Sequence, residues 1–276
     1  MTKNTSWREF TFLLLTPLIV GTILIFGENP ASGAVFEKKT EADRLAVLVY
    51  HHIEDPLTSD VSCTPRAFET QMEALHAAGF TPLDLEKTRR FLAGALPGVK
   101  KPLLITFDDG YESVFTYALP VARRLQMPMT VFMVTARAGL KPQFSRYLSA
   151  GQIREMSDSG WFSFGSHTDD LHVDVISIRK AFRREPNPVL DLVRADLETS
   201  KRALELITGR PIFALAWPYG KHDGDTRRIA RECGFVLQFT SRSGYDEPGS
   251  DPYEIKRIPV SARDSVASVL KKADGR

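Results

Sequence analysis

Leu103-Leu104-Ile105-Thr106-Phe107-Asp108-Asp109-Gly110-Tyr111 is the stretch on which the fold of this chain turns. An apolar run without alternation reads as a strand buried on both faces, as strands of a parallel sheet between helices are. The two carboxylates and the glycine that follow mark its carboxyl end, the end at which barrels and open α/β sheets build their sites. Adjacent carboxylates at the mouth of an apolar strand repel one another unless a cation or a proton relieves them, so a metal beside a base is one reading. A helix N-cap followed by a turn glycine is the other, and Asp-Asp-Gly taken alone fits both.

The same alternation runs outward in both directions. Residues 46–50, 130–134, 161–165, 212–217, 235–239 and 253–260 read as further strands. Thr64-Pro65 supplies an N-cap and a first-turn proline for a helix that carries Phe68, Met72 and Leu75 on one face and stops before Gly79. Further helices are expected around 112–126, 149–159, 189–208 and 226–233, with a short one at 265–273. Six or seven strands alternating with helices in one domain favour an incomplete α/β barrel over a doubly wound sheet. No internal repeat or low-complexity tract interrupts the pattern.

Composition narrows the classes. The 276 residues are 43% hydrophobic and 25% charged, values of a globular protein rather than of a disordered chain or a polytopic membrane protein. A net charge of +2 gives no basic field for nucleic acid. Cys63 and Cys233 lack finger spacing and read as packing residues, with a bridge between them left open. Residues 10–27 are uncharged, follow Lys3 and Arg8, and lead to Ala31-Ser32-Gly33-Ala34. That order predicts a signal peptide over residues 1–34, or an uncleaved anchor helix of the same span, then a linker over 35–45 and a folded domain over 46–276. Either way the domain is exported to the periplasm, cell envelope or exterior, and it meets a membrane only through an uncleaved N-terminus.

Three more strand ends carry polar or aromatic groups. His167 and His172, in Gly165-Ser166-His167-Thr168-Asp169-Asp170-Leu171-His172, would diverge on a helix and point to opposite faces of a strand, so only a turn can join them. Asp169-Asp170 supplies turn chemistry, and neutral imidazoles with a carboxylate suit zinc at an open site; a loop with two incidental histidines is the plainer reading. In Tyr50-His51-His52, His51 could be a general acid and His52 a packing or hydrogen-bonding neighbour. Trp217-Pro218-Tyr219-Gly220 could be an apolar corner, and Trp217 could equally offer a face for sugar stacking. His76 and His222 read as uneventful.

Taken in order, Thr-Phe-Asp-Asp-Gly, His-Thr with a second histidine, and Pro-Tyr-Gly resemble the polysaccharide deacetylases of the NodB-homology type, carbohydrate esterase family four. The similarity runs from the Tyr-His strand to Ile258-Pro259-Val260. It implies a distorted, incomplete (β/α) barrel that binds one divalent ion, such as zinc, and removes acetyl groups from a glycan polymer. The Tyr50-His51 start and the four-residue gap between His167 and His172 most resemble the secreted poly-β-1,6-N-acetylglucosamine N-deacetylases. Carried over by motif, Asp109, His167 and His172 resemble the metal ligands, Asp108 the general base, and the backbone N–H of Tyr219 the oxyanion donor. Two departures stand out. Ala216 occupies the place of the family's arginine, which leaves Arg257 as the candidate to orient Asp108. The late Leu-x-His motif is missing, and Val49-Tyr50-His51 has its look, as in a circularly permuted barrel, which makes His51 the candidate acid.

Amide hydrolysis needs such a set, because an acetamide is a poor electrophile and expels an amine only once its nitrogen is protonated. Deacetylases of peptidoglycan, chitin-like oligomers or acetylated xylan share the motifs. A silent glycan-binding module would need no acid, base and ligand set, and a metallophosphoesterase would want more acidic ligands or a second metal.

Overall fold

The computed structural model describes residues 44–142, 145–181 and 188–275. The leader expected over 1–34 and most of the linker lie outside the described residues. Strands β1 (Ala46–Tyr50), β2 (Thr81–Pro82), β3 (Pro102–Phe107), β4 (Met129–Met133), β5 (Phe162–Ser166), β6 (Ala214–Ala216), β7 (Leu237–Phe239) and β8 (Ile258–Pro259) form one sheet. Its order is β7-β6-β5-β4-β3-β1-β8, with β2 added beside β3 and every pair parallel.

Side chains alternate between two apolar layers, as period-2 geometry requires. Leu48, Ile105, Val131 and Phe164 face outward with Phe68, Met72 and Leu75 of α1 (Pro65–Ala77) and with Val193 and Leu197 of α6 (Pro188–Thr208). Val47, Leu104, Phe132, Ala214 and Phe239 face inward, together with Phe91 and Leu92 of α2 (Leu85–Leu92). The sheet therefore curls into a half-barrel clad in helices, as the sequence predicted. The gap between β7 and β8 is crossed by the segment before β8, where Thr240 N donates to Ile255 O at 2.8 Å and Arg257 N to Arg242 O at 2.9 Å.

Register sets the functional end. Tyr50 lies opposite Phe107, Phe107 opposite Val131, Met133 opposite Ser166 and Ser166 opposite Leu215. The residues that follow β1, β3, β5 and β6 thus emerge at one rim.

Three expectations are revised. The helix expected at 112–126 opens as a π-turn, Val114–Ala118, before α3 (Leu119–Leu125), where Pro120 lacks the N–H of a regular turn. The last strand pairs with β1 only at Ile258–Pro259, while Ile255 ahead of it bridges to Phe239 of β7, so the segment spans the gap instead of running as one strand. Helices α2 and α5 (Val175–Ala181), the latter following the expected α4 (Ala150–Asp158), were not foreseen. Both cysteines are free, and burial pushes the Cys63 thiol up to about 12.

Candidate active site

Asp108 leaves β3 at the rim and is buried, with its N–H bonded to Tyr50 O of the neighbouring strand at 3.0 Å. A lone carboxylate there would be protonated or costly. Burial pushes its pKa up, but Arg257, then His167 and His51, more than reverse this and hold the carboxyl far below the ordinary range. Arg257 comes from the gap-crossing segment: its Nη1 donates to Asp108 Oδ1 at 2.7 Å and its Nε to Thr240 O at 2.9 Å. Both partners are only 4% exposed, so this is a buried, charge-assisted pair.

Asp109 turns the chain through φ 70°, and Gly110 follows at φ 80°. A side chain at Gly110 would be strained at that φ, and its Cβ would stand 2.2 Å from Met133 Sδ, so the Met133 side chain would have to move. The turn aims the Asp109 carboxylate at the segment after β5, where the histidine rings of 167 and 172 meet with centroids 4.9 Å apart. One potential ligand atom from each of Asp109, His167 and His172 lies within 4.8 Å of the other two.

Two observations test whether these residues suit a cation. Asp109 Oδ1 is buried and makes no hydrogen bond among the described residues, although His172 Nε2 stands 3.1 Å and Arg137 Nη1 3.6 Å away. Two ligand atoms that face a shared point, rather than each other, have that relation. Secondly, His167 Nδ1 donates to Ala216 O at 2.7 Å. A carbonyl can only accept, so this nitrogen carries the proton and the Nε2 lone pair stays free, the tautomer a metal ligand needs. Burial lowers the His167 pKa, against the pull of Asp108 and Asp109, and so favours that neutral ring. The donor set fits a divalent ion.

His51 emerges beside Asp108, and its Nδ1 is buried without a hydrogen bond among the described residues. His52 is tied down instead, with Nδ1 2.9 Å from Glu54 and its ring 4.4 Å from that of Tyr111. Tyr219 adopts φ 56° in a short 3-10 turn and packs its ring 5.2 Å from His172. Gly220 closes that turn, and a Cβ on it would meet Ser241 N at 2.3 Å. Trp217, by contrast, is 1% exposed and donates Nε1–H to Gln238 Oε1 at 3.1 Å. It is an apolar corner and presents no face to a sugar; Tyr219, 59% exposed, is the accessible aromatic of that segment. His222 is half-buried against Trp217, 5.8 Å between centroids, and His76 is exposed on α1.

All six sequence-named residues thus gather at one rim. Sequence reading missed the backbone conformation: among the described non-glycine residues only five have positive φ, and Asp109, Thr168 and Tyr219 are three of them. Strain of that kind collects at functional sites.

The comparisons with known proteins agree with this geometry. A family model described as polysaccharide deacetylase matches residues 96–237. The chain is 28% identical over 253 residues to the poly-beta-1,6-N-acetyl-D-glucosamine N-deacetylase of Staphylococcus epidermidis, covering 86% of each chain. It is 26% identical over 297 residues to the enzyme of that name from Staphylococcus aureus, covering 98% of each. The solved structure of IcaB from Ammonifex degensii superposes with a TM-score of 0.74 at 31% identity, over 84% of this chain and 97% of that one. The match of residues 96–237 spans both Asp108-Asp109-Gly110 and the His167–His172 turn, and with the IcaB likeness it makes this chain a member of the polysaccharide deacetylase family.

Proposed function

We propose that the protein is an exported, zinc-dependent N-deacetylase of poly-β-1,6-N-acetylglucosamine. The observation that carries the proposal is the convergence of Asp109, His167 and His172, with a buried carboxylate oxygen that makes no hydrogen bond among the described residues, beside a buried Asp108 that Arg257 keeps ionised. The names of the relatives point to the polymer.

In this reading Asp109, His167 and His172 hold the ion. When bound, the ion supplies Lewis acidity to the acetamide carbonyl and to water, which a carboxylate as weakly basic as Asp108 requires. Asp108 accepts the proton of the attacking water as its oxygen bonds to the carbonyl carbon. The Tyr219 N–H donates to the carbonyl oxygen as charge builds there. His51, as imidazolium, gives its proton to the sugar nitrogen, the C–N bond breaks, and acetate and a glucosamine unit leave.

The test is metal analysis joined to acetate release. The purified protein should contain one divalent ion, lose activity with a strong chelator and regain it with zinc. Acetate should be released faster from β-1,6-linked N-acetylglucosamine oligomers than from chitin oligomers; full activity in metal-stripped protein would remove the metal from the proposal.

Among the described residues no helix is long and apolar enough to cross a membrane. Export then rests on residues 1–34. N-terminal sequencing of protein from the native envelope should find Val35 if the leader is cleaved or Met1 if it is kept as an anchor. A full-length cytoplasmic product would contradict export.

A further inference from the structure

The turn that joins His167 to His172 is held against its own backbone preference. Thr168 sits at φ 75°, a left-handed conformation that β-branched residues avoid. The three N–H groups that follow all point at one side chain. Asp169 N donates to Asp196 Oδ2 at 2.8 Å, while Asp170 N and Leu171 N donate to Asp196 Oδ1 at 2.8 and 2.9 Å. Asp196 belongs to α6, and four residues on, Ser200 Oγ is bonded to Ser166 Oγ at 2.8 Å. The helix is thereby fixed to the last residue of β5, immediately before His167, and presents Asp196 to the turn from a rigid base. On the other side Thr135 N donates to Thr168 O at 3.2 Å and Ala136 N to Asp169 O at 3.1 Å.

We propose that Asp196 is a positioning residue of the metal centre: by collecting the N–H groups of Asp169, Asp170 and Leu171 it holds the strained turn in the conformation that brings His167 and His172 to one point. This rests on the reading of those two histidines as ligands. Only a carboxylate suits the task. It has two acceptor oxygens with about four lone-pair sites, and its bonds to N–H are charge-assisted. An asparagine offers one oxygen and turns an NH2 donor toward a backbone donor. A helix–loop packing role alone would need no such convergence.

The experiment compares Asp196→Asn with the wild-type protein by zinc titration against a competing chelator, by the visible spectrum of the cobalt-loaded protein and by amide hydrogen exchange. Zinc affinity should weaken by about 10- to 100-fold, the usual worth of a group that orients a ligand. The cobalt spectrum should change as one histidine is misplaced. Amides of Asp169, Asp170 and Leu171 should exchange faster while those of β3 and β5 exchange as before. Adding Thr168→Gly, which takes positive φ freely, should return the affinity toward the wild-type value. Should Asp196→Asn not fold, Asp196→Glu keeps the charge, displaces the carboxylate by one methylene, and should weaken binding as well. Unchanged affinity and spectrum in a variant whose wild-type parent binds one ion overturn the assignment, as does an equal loss of protection throughout β3 and β5. A wild-type protein that takes up no ion in the same titration ends the ligand reading, and the role of Asp196 with it.

Discussion

Asp108→Asn is expected to leave a folded protein that takes up one divalent ion and turns over an N-acetylglucosamine oligomer about 1,000-fold more slowly, within the range for loss of a general base. The exchange removes the charge and the capacity to accept a proton and little else. Asparagine keeps an oxygen for Arg257 Nη1, now 2.7 Å from Asp108 Oδ1, so the guanidinium is not stranded. Asp109→Ala should fail differently. It removes a ligand atom rather than the proposed base, so the ion is lost and the rate with it. Metal content and kcat, measured on both variants, separate the two roles; if both kept ion and rate, Asp108-Asp109-Gly110 would be no more than a turn.

Arg257 sets the sign of the acid response in the same experiment. The depressed pKa of Asp108 contributes stability that is fully present above the unfolded value, about pH 4, and is lost as pH falls through the folded value below it. Ordinary mild acid therefore leaves Asp108 charged. Arg257→Met, in contrast to Asp108→Asn, leaves a buried carboxylate without its main counter-charge. Its unfolding free energy in denaturant should fall by about 3–5 kcal/mol, more than for Asp108→Asn.

The parallel alternation was readable because most strands lie in short apolar runs, and β1 and β3 in particular are continuous apolar runs followed at once by His51 and Asp108. Residues 46–50 and 103–107 fall within one residue of β1 (Ala46–Tyr50) and β3 (Pro102–Phe107). Helix α2 escaped because it is short and strongly charged, although Asp84 caps it by accepting from Lys87 N at 2.7 Å and Leu85, Phe91 and Leu92 recur on one face. Strand-end position gathered the six site residues. Sequence could not supply what depends on distant backbone. The Ala216 carbonyl that fixes the His167 tautomer is a main-chain atom, and no residue type announces it. The three N–H groups that converge on Asp196 are main-chain atoms too, 25 to 27 positions away along the chain. Trp217 was legible only as ambiguous, since burial and exposure of an indole depend on whether its N–H finds a partner, and here Gln238 provides one.

His51 is placed for a proton transfer that can be isolated by choice of substrate. The pairing of Tyr50 with Phe107 brings His51 and Asp108 off adjacent strands at the same level, and His51 Nδ1 carries no hydrogen bond among the described residues. Asp108, ionised, can serve the water, and the departing amine then needs a different donor. His51→Ala should retain the ion and still bind the glycan while turnover of an N-acetylglucosamine oligomer falls by about 100-fold or more. An aryl acetate expels a leaving group that needs no proton, so its hydrolysis by the same variant should suffer far less. His52, held by Glu54 and packed against the Tyr111 ring, should show no such selectivity when replaced by alanine. Equal losses on both substrates for His51→Ala would reduce His51 to a structural group, and a selective defect in His52→Ala would transfer the acid's role to its neighbour.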